Sequence, residues 1–100
     1  MTIIFNLNNS EFSLPRKRKY LSKIPEDKEA LYDELNSGEP YNVQSQVKNE
    51  TFQSYLAYWK KKITPEVTSD NICEFCQLCE EFGLLKDYIS SSQFESLFII

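Results

Sequence analysis

Histidine is absent from the sequence. Without it the commonest general base is gone, and with it any Cys–His or Ser–His nucleophilic pair. Glycine is scarce: Gly38 and Gly83 are the only two, both fall where helices are expected to end, and no Gly-rich phosphate loop can be built from them. No stretch approaches 18 consecutive apolar residues, and the opening Met1–Asn6 has neither a charged leader nor a long apolar segment, so neither a membrane span nor a signal peptide is expected. That implies a cytoplasmic protein. Cysteine is limited to three residues crowded into 73–79, an odd number that makes no disulfide framework and agrees with a reducing compartment. A basic excess is also missing: 11 Lys and Arg stand against 15 Asp and Glu, for a net charge of −4 and a pI near 4.8. Nucleic acid is therefore an unlikely partner. Two glycosylation sequons, at Asn8 and Asn49, are read as coincidences in a chain without a secretory signal.

What is present is apolar and aromatic in quantity, 41% and 14% of the 100 residues. Such a chain folds, and its length allows one domain over 1–100 with a single core but no elaborate catalytic cleft. The strongest pattern lies at 49–63, where Phe52, Leu56, Trp59 and Ile63 recur at four, three and four and Tyr55 widens the stripe. One face of an amphipathic helix is implied. Asn49 is a suitable N-cap, Lys60 to Lys62 sit where a helix dipole favours cations, and Pro65 stops the helix.

Elsewhere, Ile3, Phe5 and Leu7 alternate, Asn8-Asn9-Ser10 supplies a turn, and Phe12 and Leu14 resume the alternation, which predicts an N-terminal β-hairpin. Arg16-Lys17-Arg18-Lys19 opens a short helix or turn; the run suits either a localisation or phosphate-contacting role or a solvated helix face, and the solvated face is preferred. The nucleus stays open to the protein through that run. Pro25, an acidic first turn and Gly38 frame a thin helix at 26–36 with Ala30, Leu31 and Leu35 inward. Tyr41 to Ser45 reads as a third strand. Ile72, Phe75, Cys76, Leu78, Cys79 and Phe82 form the stripe of a second core helix closed by Gly83. A further short helix is expected from Leu84 to Ile89, followed by an apolar tail, which either docks back or marks the N-terminal module of a longer protein.

Cys73-x-x-Cys76-x-x-Cys79 is the one spacing that invites metal or redox chemistry. On a helix the three sulfurs fan over roughly 120°, and a zinc site would still lack its fourth ligand. Packing is the preferred reading, with a cysteine-based metal or redox sensor as the alternative. Glu80-Glu81 and Glu26-Asp27 are read as solvated faces. No catalytic residue and no cofactor are expected.

The succession of hairpin, basic helix, edge helix, short strand and two core helices resembles the BTB/POZ fold. Phe12-Ser13-Leu14 and Leu21-Ser22 stand where that family has Phe-x-Leu and Leu-Ser. Tyr41-x-Val43 with Val47, Phe52, Tyr55-Leu56 and Tyr58 is similar to its strand and central helix, and Thr68-x-x-Asn71-Ile72 with Phe75, Leu78 and Glu81-Phe82 is similar to its next helix. The likeness covers 2–89. It is nearest to the compact form typified by elongin C, and to divergent protist segments that precede ankyrin repeats. It implies an α+β domain, a three-stranded sheet covered by about five helices. It also implies a non-enzymatic role in protein–protein interaction, either self-association or adaptor binding to a cullin-type scaffold or other partner. Tyr58, off the core stripe, and the tail residues Phe94, Leu97 and Phe98 are the candidate interaction surface.

Overall fold

The computed structural model describes residues 1–85. The hairpin forms as expected, strand β1 (Thr2–Leu7) running antiparallel to β2 (Ser10–Pro15). Asn8 and Asn9 alone make the loop, both with positive φ (51° and 62°). That is the left-handed pair a two-residue hairpin needs, and asparagine tolerates it better than other residues with a side chain. Strand β3, Tyr41–Asn42, adds to the other side of β1 in parallel, giving the order β2-β1-β3. It is shorter than the expected 41–45, for a reason that lies in the next helix but one.

Four α-helices and a 3₁₀ turn are present among the described residues: α1 (Arg18–Leu21), the turn Glu26–Lys28, α2 (Glu29–Asn36), α3 (Asn49–Lys61) and α4 (Ile72–Phe82). The fold is α+β with a small three-stranded sheet, as expected; that sheet is mixed, and the described residues hold four α-helices where about five are expected for the domain. The segment expected to be helical from Leu84 does not start so: Leu85 has φ 71°, which ends any helix there. Its remainder, with Phe94, Leu97 and Phe98, lies outside the described residues.

Alternation puts Ile3, Phe5, Leu7 and Leu14 on one face of the sheet, and all four are buried against the helices. Phe5 lies within 6.1 Å of the rings of Tyr41, Phe52, Trp59 and Phe82. Phe82 is the denser hub, its centroid 5.6 to 6.2 Å from Phe5, Tyr41, Phe52, Tyr55 and Trp59. Edge-on and tilted pairs of this kind add to simple area burial. The polar ends of the large rings are satisfied: Trp59 Nε1 donates to the carbonyl of Tyr20 at 2.9 Å, and Tyr55 Oη donates to the carbonyl of Leu84 while accepting its N–H.

Three expectations for α3 are corrected. Its N-cap is Lys48, not Asn49; the Asn49 side chain instead donates to Ser10 Oγ and accepts from Asn8 Nδ2, fastening the hairpin turn to the helix. The helix ends at Lys61, because Lys62 adopts the left-handed conformation (φ 57°). Ile63 therefore leaves the core stripe and is 55% exposed. The helix expected over 26–36 begins as the separate 3₁₀ turn Glu26–Lys28, and in α2 only Leu35 is buried, with Leu31 half-buried and Ala30 exposed. Gly83, by contrast, closes α4 as expected with φ 82°, and a Cβ there would stand 2.5 Å from Pro25 Cγ.

Burial raises the phenols of Tyr41 and Tyr55 well above the ordinary value near 10, the Glu81 carboxylate adding to the effect on Tyr41. A group whose folded pKa is raised stabilises the fold below its unfolded pKa and loses that contribution above it. Stability is therefore expected to hold up to about pH 10 and to fall as pH rises beyond it. Denaturant titrations across that range check this; a flat profile past pH 11 would contradict it.

Candidate interaction surface

Helix α4 does more than fill the core. Glu74, Gln77 and Glu81, spaced three and four apart, share one face of it. That face accepts the backbone of residues 44–48. Glu81 Oε2 takes the Gln44 N–H at 2.8 Å and the Tyr41 hydroxyl at 2.5 Å, while Oε1 takes the Ser45 N–H at 2.9 Å and its hydroxyl at 2.7 Å. Gln77 Oε1 accepts from the Gln46 N–H, and Glu74 Oε1 from the Lys48 N–H at 2.6 Å. Four of the five N–H groups in the segment are thus held by side chains in place of a neighbouring strand. This is why β3 stops at Asn42: from Gln44 onward the donors turn toward a helix. The reading of Glu81 as a solvated face is corrected accordingly. Helical spacing shows that Glu74, Gln77 and Glu81 share a face, but only the tertiary fold brings the 44–48 segment across from it.

The basic run divides. Arg16 is half-buried, its Nη1 donating to the carbonyl of Asn36 at 3.2 Å and Nη2 touching Met1 Sδ. Lys17, Arg18 and Lys19 are exposed, with Lys19 Nζ 5.1 Å from the centroid of the Tyr20 ring. One cation of the four is structural, and the other three lie exposed on α1 and its N-cap.

The cysteines separate by depth: Cys73 exposed, Cys76 half-buried and Cys79 buried. Among the described residues no three of His, Cys, Asp and Glu gather where they could hold a metal ion. Burial raises the Cys76 thiol above its ordinary range, with Cys73 and Glu80 adding to it. Because the thiolate is the reactive form, a neutral-pH maleimide or disulfide reagent is expected to label Cys73 first and Cys76 more slowly. Cys79 should react only on unfolding. Mass mapping of partly labelled protein checks the order, and early labelling of Cys79 would contradict the packing.

Tyr58, the one candidate interaction residue among those described, is half-buried and packs against the flank of the core. At 100° per residue it stands roughly 120° to one side of Phe52, while Ala57 stands roughly 140° to the other. The second flank is the more open. There Phe12, Leu56, Ala57 and Ile63 line a groove of about 380 Å³ between β2 and α3, with Lys60 and Lys61 on its rim. Periodicity places Ile63 in the core, but the left-handed Lys62 ends α3 before it and leaves it at the surface.

A second, larger groove is polar. It runs from the hairpin turn to the 42–48 segment and is lined by carboxamides, among them Asn6, Asn8, Asn42, Gln44 and Gln46. No helix among the described residues is long and apolar enough to cross a membrane. No family model matches the chain, and no curated protein matches it significantly.

Proposed function

We propose that this chain is a non-enzymatic protein–protein interaction module of BTB/POZ-like type, acting through its helix faces and sheet edge rather than through a pocket. The observation that carries this is α3 itself. Its inner face supplies Phe52, Tyr55, Leu56 and Trp59 to the core, yet its far end leaves Ile63 in solvent beside half-buried Phe12 and Ala57. Apolar surface of this kind, rimmed by charge, is what interfaces use. The element order through α4, hairpin, short helix, edge helix, short strand and two core helices, supports the BTB/POZ reading. The partner is either a second copy or another protein such as a cullin-type scaffold, in the cytoplasm or the nucleus.

Light scattering of the purified chain, paired with affinity capture from a cell extract, tests the proposal. A stable oligomer or a reproducibly captured protein is the expected result. A monomer that captures nothing would overturn it.

A cysteine-based sensor is the second reading. It draws on exposed Cys73 standing one turn from half-buried Cys76. Elemental analysis showing no bound metal, with no reversible oxidation of that pair, would remove it.

A further inference from the structure

We infer that the outer edge of β2 receives an extended, acidic segment of a partner protein as an added strand. The inference rests on the interaction reading above and names its surface and the partner's chemistry.

The hydrogen-bond pattern of the hairpin decides which backbone groups are free to receive it. A two-residue loop makes Leu7 and Ser10 a mutually hydrogen-bonded pair, and the pattern repeats every second residue. Phe5 with Phe12 and Ile3 with Leu14 follow by register, and the Arg16 N–H bonded to the Met1 carbonyl at 3.0 Å confirms the phase. Glu11 and Ser13 therefore turn their N–H and C=O groups away from β1. Among the described residues nothing bonds to those outward groups. Pro15, which has no N–H, ends the ladder, so the edge offers two rungs.

Beside those rungs runs the groove of Phe12, Leu56, Ala57 and Ile63. A strand added to β2 would lay alternate side chains into it, the arrangement by which sheet edges recognise extended peptides. Lys60 and Lys61 rim the same groove, with Lys62 next in the chain. Glu11 is the one carboxylate lining it, and alternation carries its side chain to the opposite face of the sheet from Phe12. The groove is therefore suited to apolar side chains followed by carboxylates. A second copy fits worse: edge-to-edge pairing about a twofold axis would set Lys60 and Lys61 against their own copies, and would bring a Phe12 already packed on Phe52 at 5.2 Å rather than one free to enter the groove.

The test uses the full chain and a fluorescein-labelled peptide of about eight residues, an ordinary strand length. Its centre alternates threonine and valine and its ends carry pairs of glutamates; a twin peptide carries lysines at those ends. The glutamate peptide is expected to bind about tenfold more tightly than its twin, and to weaken as salt rises from about 0.05 to 0.3 M. Ser13→Pro removes one outward N–H without touching the β1 ladder, and proline is tolerated on an edge strand. It should reduce binding about tenfold, as should Lys60→Glu with Lys61→Glu. Circular dichroism and the melting temperature of each variant establish that it is folded, and the two variants strike the site by different chemistry.

Equal binding of the two peptides, or binding by the glutamate peptide that neither variant changes, would overturn the inference. So would a dimer in light scattering that Ser13→Pro dissolves, because the edge would then belong to a second copy. Failure of the peptides alongside capture of a protein from extract would remove the edge site and leave the interaction role standing.

Discussion

Phe82→Ala is expected to lower the free energy of unfolding by about 3–5 kcal/mol, the usual cost of emptying a buried aromatic site. Phe82 is fully buried and is the ring on which Phe5, Tyr41, Phe52, Tyr55 and Trp59 converge. Its neighbours come from the sheet, from β3 and from α3, so no single element can shift inward to fill the space. Small domains hold about 5–15 kcal/mol in total, and the variant should sit near the limit of folding at room temperature. Urea titration followed by tryptophan fluorescence would report it through Trp59. A loss below about 1 kcal/mol would mean that the site collapses freely, contrary to close packing.

Glu81→Ala is the second large effect, expected to cost about 2–4 kcal/mol. Four donors lose their acceptor at once: the Tyr41 and Ser45 hydroxyls and the Gln44 and Ser45 N–H groups. Tyr41 and Ser45 are buried, so water replaces the carboxylate poorly. The half-exposed end near Gln44 softens the loss. Glu81→Gln keeps the shape but turns one acceptor into a donor, and about half the penalty should remain. Amide hydrogen exchange separates this from a general loosening: exchange at Gln44 and Ser45 should rise before that of β1. Unchanged protection at Ser45 in Glu81→Ala would contradict the clamp.

These two neighbours on α4 mark where the sequence could and could not be read. Phe82 was legible as a core position because burial follows periodicity, and the same holds for Ile3, Phe5, Leu7, Phe52, Trp59 and Phe75. Its rank as the hub was not, since convergence depends on how three elements meet. Glu81 was misread because a carboxylate on a helix is most often solvated, and only the tertiary fold brings the donor-rich 44–48 segment across from it. Ile63 failed for a third reason: a stripe at helical spacing continues in sequence past the residue whose left-handed backbone ends the helix. The hairpin and its two-residue loop were plain, because turn chemistry is local. The groove between β2 and α3 belongs to no single segment, so the interaction residue proposed on α3, Tyr58, lies on the flank opposite the more open surface.

The apolar groove between β2 and the end of α3, with Ile63 just past that end, is where the proposed function stands or falls. Affinity capture from extract with the wild-type chain, compared with Ile63→Asp, measures it directly. Ile63 is 55% exposed and outside the helix, so the substitution should leave the melting temperature nearly unchanged. The account expects a discrete captured protein, or a second copy of the chain, with the wild type and its loss with the variant. Equal capture by both chains, or none by either, would contradict it.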